Sequence, residues 1–252
     1  MVQSVIRALN LLDCIGRKGG RASISELSKE VNLPPSTIHR LLNTMKEEGY
    51  LENDENSNMY QLGPKLLVLG LKVRGTNDLL KISRPVLEEL TSVTKEDSYI
   101  TIAQGDYGVF LECIKGPHPL KIIEKQGELV PLHCGAMRKV LLAHQSDEFI
   151  RNYLSKVLVK FNENTIVNAS EMWYEIELIR SRGYATSFEE YTVGGSGVAV
   201  PIKDLYGKVI ASVGLIVPTS RFGSEQIEEL INEVIRTGVR LSELLGYSEV
   251  KI

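Results

Sequence analysis

Between Pro35 and Gly49, one set of residues could recognise another polymer by hydrogen bonding. Ser36, Thr37, His39, Arg40, Asn43 and Lys46 fall opposite an apolar stripe of Ile38, Leu41, Leu42 and Met45. Apolar spacing of three and four residues predicts a helix. The polar side is then a row of hydrogen-bonding groups on a rod narrow enough for a major groove. Arginine pairs best with guanine and asparagine with adenine. A merely solvated face is the plain alternative for any amphipathic helix. Arg7 and Arg21 are candidate phosphate contacts, with ordinary surface charge as their alternative.

The neighbouring elements decide between these readings. A helix spans about Gln3 to Ile15, with Val5, Leu9, Leu12 and Ile15 in register. Ser23-Ile24-Ser25-Glu26 has the form of a capping box and opens a second helix. Asn32-Leu33-Pro34 breaks it, and Pro35-Ser36-Thr37 starts the third, which Gly49 ends. Tyr50-Leu51-Glu52 and Met59-Tyr60-Gln61-Leu62 predict two strands joined by the turn-rich Asn53 to Asn58. Three helices and a hairpin in this order predict a winged helix-turn-helix. Its wing is acidic, carrying Glu52, Asp54 and Glu55.

A second group of residues suits a small anion. Gly135, Ala136 and Met137 precede a helical stretch, and a helix N-terminus offers free N–H groups. Arg138 follows as a charge partner for a carboxylate, or as a solvated cation. Glu189 and Glu190 lie in the segment Ser187 to Ser196, which lines a pocket or is a plain polar loop. Gly194-Gly195-Ser196-Gly197 permits close backbone approach. His133 and Cys134 are adjacent and would point to opposite faces of a strand, which disfavours a shared metal. A nucleophilic pair of Cys134 and His144 is geometrically conceivable, but no GxSxG, P-loop or HExxH motif supports an enzyme.

At 252 residues and a net charge of −3, composition alone does not announce a nucleic-acid partner. Residues 1–76 carry 10 Lys/Arg against 8 Asp/Glu, a net of +2. Arg7, Arg17, Lys18 and Arg21 cluster there against Asp13. Three cysteines, Cys14, Cys113 and Cys134, form no disulfide framework or zinc spacing. No cofactor or metal is expected. No apolar run reaches the roughly 18 residues of a membrane span, and the N-terminus has no signal-peptide core. A cytoplasmic protein is expected.

The expected domains are a DNA-binding domain at 1–62, a linker helix at 63–77 and a third region at 78–252. In the linker, Leu66, Leu69 and Val73, flanked by Leu67 and Leu71, suggest packing on a second copy. Leu79 to Val93 is helical, with Pro85 forcing a break or new start. Strands are expected at Ser98–Ala103, Val109–Ile114, Leu120–Glu124, Val198–Ile202 and Lys208–Val217. Further helices are expected at 135–144, Asp147–Lys156, from a Ser170 cap to Arg182, and Ser224–Leu245. Helices mixed with hairpins, without βαβ alternation, predict an α+β domain with an antiparallel sheet.

Several fragments, taken in order, resemble the IclR family of bacterial transcriptional regulators: Ser4 to Leu9, Ser36 to Leu42, Tyr60 to Gly63, Pro131 to Ala136, Arg182 to Ala185, Val200 to Asp204 and Pro218 to Phe222. The resemblance spans essentially the whole chain. It implies an all-α winged helix-turn-helix domain followed by a GAF-like or profilin-like α+β domain. It also implies dimers, some pairing to tetramers, on palindromic double-stranded operators, most often as repressors. A small metabolite, often a carboxylate or sugar acid, would bind near His133, Cys134, Gly135, Ala136, Met137, Arg138, Ser187 and Glu190. Arg138 stands where the family usually has glycine. Gly214 and Ile216 replace hydroxyl-bearing residues, and Gly197 a pocket cysteine, of some relatives. A rival reading gives the second domain assembly alone; a small-molecule enzyme is the remoter one.

Overall fold

The computed structural model describes residues 1–54, 57–76, 78–124 and 127–248. The chain divides into two compact units, Met1–Asn77 and Asp78–Ile252.

The first unit runs α1 (Gln3–Arg17), β1 (Arg21–Ser23), α2 (Ile24–Val31), α3 (Pro35–Glu47), β2 (Leu51–Asp54), β3 (Met59–Leu62) and α4 (Pro64–Thr76). The capping box forms as its residue types predict. Ser23 Oγ accepts from the Glu26 N–H, and the Glu26 carboxylate accepts from the Ser23 N–H at 2.8 Å. Asn32 closes α2 in the left-handed region at φ 50°, a conformation asparagine tolerates well. Leu11, Ile15, Leu27, Ile38, Leu42, Leu51 and Tyr60 form the buried core. The wing has a third strand that alternation did not reveal. β1 pairs with β3 in the order β1-β3-β2, and three residues are too few for a period-two signal. On α4, Leu67, Val68 and Leu69 are exposed; the side chains of Leu71 and Val73 lie outside the described residues.

The second unit runs α5 (Asp78–Thr94), β4 (Asp97–Gln104), β5 (Tyr107–Ile114), β6 (Val130–Pro131), α6 (Ala136–Ala143), α7 (Asp147–Leu154), α8 (Ala169–Arg182), β7 (Ala185–Phe188), β8 (Gly195–Lys203), β9 (Val209–Pro218) and α9 (Ser224–Leu244). The sheet is antiparallel, ordered β6-β5-β4-β9-β8-β7. Strand alternation splits its residues between two cores. Ile100, Val198, Val200, Val213 and Leu215 pack with residues of α5 and α9. Tyr99, Phe110 and Ala199 pack with residues of α6, α7 and α8. The result is a sheet covered on both faces.

Four expectations change. Pro85 does not break α5, which continues through it. Burial of Leu79, Val86, Leu87 and Leu90 on the sheet outweighs the one missing N–H. Leu120–Glu124 is not a strand, and the edge position is filled by β6. The cap of α8 is Asn168, not Ser170; its side chain accepts from the Ser170 and Glu171 N–H groups. Part of the polar segment after Arg182 is the edge strand β7, paired with β8.

The cap of α2 has a measurable consequence. Ser23→Ala is expected to cost the first unit ~1 kcal/mol, read as an earlier urea midpoint with an unchanged slope. An unmoved midpoint would show the capping box to be dispensable.

Candidate nucleic-acid interface and ligand cleft

On α3, Ile38, Leu42 and Met45 are buried, while Ser36, His39, Arg40 and Lys46 are exposed. Thr37 is half-buried beside them. Asn43 differs. The Tyr60 hydroxyl of β3 donates to Asn43 Oδ1 at 3.2 Å, and Asn43 Nδ2 lies 3.4 Å from His39 Nδ1. Asn43 therefore ties the helix to the wing, and its amide is partly used within the domain. Among the described residues, Arg40 and Lys46 make no ion pair. Arg21 is exposed on β1, and Arg7 half-buried on α1.

The expected basic cluster is smaller than its sequence suggests. Glu30 binds Arg17 at 3.0 Å and Lys18 at 3.1 Å. Those hydrogen bonds hold its carboxyl well below the usual carboxylate range, at about 2. In the wing, Glu52 accepts from Gln61 and Asp54 from Ser57. Glu55 lies outside the described residues.

In the second unit a cleft forms beside the start of α6. Gly135, Ala136, Met137, Arg138, Ser187, Glu190, Gly197 and Ile216 line it. Ile122, Glu124, Tyr191 and Ser196 line it too. No local pattern marked Glu124 or Ile122 as site residues. The free space left inside is about 30 Å³, roughly two waters.

Charge in this region is arranged by two buried ion-pair systems. Lys139 Nζ donates to Glu190 Oε1 at 2.6 Å, Glu175 Oε1 at 3.0 Å and the Thr186 carbonyl at 2.9 Å. The other Glu190 oxygen accepts from the Gly135 N–H at 3.0 Å. Burial pushes the Glu190 carboxyl up from its ordinary value, and Lys139 opposes that. One N–H at the start of α6 is thus already capped by an internal carboxylate. Arg138 makes the second system with Glu124 at 3.2 Å. Its guanidinium sits 4.8 Å from the Phe110 ring and 5.1 Å from Tyr191.

Three expected site residues, His133, Cys134 and Gly214, do not line the cleft. His133 is buried, with Nδ1 2.8 Å from the Tyr153 hydroxyl and Nε2 2.9 Å from the Val159 carbonyl. A carbonyl only accepts, so Nε2 carries the proton and Nδ1 accepts from tyrosine. Burial lowers the His133 pKa, in keeping with a neutral structural tie. Cys134 is buried, and burial pushes its thiol up to about 12. His144 Nδ1 is engaged by the Val140 carbonyl. Among the described residues no hydrogen bond joins the Cys134 thiol to His144, and burial keeps that thiol protonated, so the two do not form a nucleophilic pair. Gly214 packs within the sheet: a Cβ there would meet the Val198 carbonyl oxygen at 2.3 Å.

A winged helix-turn-helix joined to an α+β unit with a charged cleft defines a DNA-binding regulator. Family models match both parts: the IclR helix-turn-helix domain over residues 4–55, and the bacterial transcriptional regulator IclR C-terminal domain over residues 72–243. The chain belongs to the IclR family of DNA-binding transcriptional regulators. It is 31% identical to the HTH-type transcriptional regulator KdgR of Dickeya chrysanthemi over 98% of this chain and 81% of that protein. An IclR regulator from Silicibacter has a TM-score of 0.90 at 25% identity, covering 97% of each chain. The fold is also shared with an IclR homologue from Microbacterium hydrocarbonoxydans, solved with 4-hydroxybenzoate. Its TM-score is 0.79 at 21% identity, covering 96% of this chain and 98% of that one. The relatives found are transcriptional regulators rather than enzymes.

Lys139→Met would leave the buried Glu190 carboxylate without its cation, while Glu175 would keep Arg182 at 3.2 Å. A loss of about 3–5 kcal/mol is expected in the second unit, read by urea denaturation. A loss below 1 kcal/mol would show the network to be solvated and weak.

Proposed function

We propose that this chain is a cytoplasmic, ligand-responsive repressor that binds a two-fold operator as a dimer, or as a pair of dimers. Residues 1–62 bind DNA, α4 links, and 78–252 bind the effector and assemble. The observation that carries the reading is the exposed polar row of α3, with its opposite face buried and its C-terminal half braced to β3. Ser36, Thr37, His39, Arg40 and Lys46 meet bases or phosphates, and Asn43 sets the angle between helix and wing. Arg7 and Arg21 hold the backbone. Two such helices about 34 Å apart would enter successive major grooves. The exposed Leu67, Val68 and Leu69 on α4 offer a second copy an apolar surface.

The effector is a small organic acid, a carboxylate or sugar acid, held beside Arg138. The 4-hydroxybenzoate found with the Microbacterium homologue is a carboxylate and is in keeping with that class. An effector changes DNA affinity only through unequal affinity for the two arrangements of the protein.

Selection from a random duplex pool at moderate salt tests the reading. Enrichment of a palindrome with half-sites about one helical turn apart is expected; retention without sequence preference counts against it. On the selected site, Arg40→Ala is expected to weaken binding by ~1–3 kcal/mol and to relax preference at one base position. Unchanged affinity would remove Arg40 from the interface.

A further inference from the structure

The cleft beside α6 is largely filled by the chain's own ion pair. The Arg138 side chain is 5% exposed and that of Glu124 6%, and they meet through a single contact at 3.2 Å. Among the described residues, Arg138 Nη1 reaches only the Cys134 carbonyl, at 3.5 Å. Its Nε is buried and, among the described residues, has no partner. A well-formed arginine–carboxylate pair makes two parallel bonds of about 2.7–2.9 Å. This one makes a single longer bond, and leaves a charged donor unmet between two aromatic rings.

Glu124 is the weaker-held member. It lies in Lys121–Glu124, residues that belong to no helix or strand. Burial raises its carboxyl above the ordinary value even with Arg138 beside it. Arg138, by contrast, projects from α6 and is packed by Phe110 and Tyr191. A competing carboxylate that met Nε and Nη2 together would satisfy the arginine better than Glu124 does.

We propose that Glu124 is a built-in substitute for the ligand, which a small organic acid displaces from Arg138 on binding. This rests on reading the cleft as the effector site. With Glu124 in place, about 30 Å³ is open, too little for any acid beyond a few atoms. With it swung out, the cleft gains the room of a carboxymethyl group. The acid's carboxylate takes the arginine, and its body lies against Ile122, Tyr191, Leu215 and Ile216, which line the remainder. Entry of the ligand and release of the Glu124 segment are then one event.

The test uses the full chain. Glu124→Ala removes a group with the size and charge of acetate. Melting is followed in sodium acetate, in sodium chloride at equal ionic strength, and in acetamide. Acetate is expected to raise the melting temperature of Glu124→Ala by several degrees, through binding to the folded state. The wild type should respond far less, with apparent affinity at least about tenfold weaker because its site is self-occupied. Acetamide should do nothing, and Glu124→Ala combined with Arg138→Met should not respond. Equal acetate responses in wild type and Glu124→Ala, or none in either, overturn the proposal. If Glu124→Ala does not fold, Glu124→Gln keeps the shape without the charge. Calorimetry should then show propionate bound at least about tenfold more tightly than by wild type; an unchanged affinity overturns the proposal. If the variants behave as expected while no acid alters DNA binding by wild type, the displacement stands and the effector reading fails. If an acid alters DNA binding with an affinity indifferent to Glu124, the effector reading stands and the displacement fails.

Discussion

One buried ammonium organises the C-terminal unit. Lys139 reaches from α6 to Glu175 on α8, to the Thr186 carbonyl on β7, and to Glu190 on the loop before β8. Removing water from these charges is costly, and only their mutual pairing offsets it. The network therefore fixes four segments together. Its outer oxygen, on Glu190, takes the Gly135 N–H. An incoming anion thus finds the start of α6 partly answered for by the protein. Arg138, the other buried cation beside the cleft, is met by Glu124 through one 3.2 Å contact, so in the proposed reading recognition of a charged ligand falls on a side chain rather than on a helix dipole.

The DNA-binding unit shows the same economy of charge. Glu30 pairs with both Arg17 and Lys18, and the wing keeps Glu52 and Asp54 bonded within its own hairpin. An acidic wing repels phosphate, so in the proposed reading affinity comes from α3 and from the arginines of α1 and β1. Specificity depends on how rigidly α3 is held. The Tyr60–Asn43 bond and the buried stripe of Ile38, Leu42 and Met45 supply that rigidity.

How far the sequence could be read followed the range of the interactions. The capping box of α2, the stripe of α3 and the glycine stops arise within four residues of one another, and each appeared where local chemistry placed it. Most of the cleft residues around Gly135 and Glu190 were legible through the family resemblance. What was hidden depends on distant partners. Lys139 meets Glu190 across 51 residues and Glu175 across 36. Glu124 meets Arg138 across 14, from a stretch whose Leu120, Ile122 and Glu124 alternate like a strand. Pro85 misled for a related reason: a local rule about proline lost to burial of one helix face on a sheet. His133 and Cys134 look chemically capable in isolation, but their neighbours commit the first to Tyr153 and Val159 and bury the second.

The central claim is that one chain couples a carboxylate in the cleft to the grip of α3 on DNA. The most direct measurement is fluorescence anisotropy of a labelled selected operator, titrated with the full-length protein. Each titration is run with and without members of a panel of small organic acids, and with the matching uncharged amides. The account predicts that at least one acid shifts the dissociation constant by about 5- to 150-fold, the usual range of coupling between sites, while its amide does not. An affinity that no acid moves, or that acid and amide move alike, would contradict it.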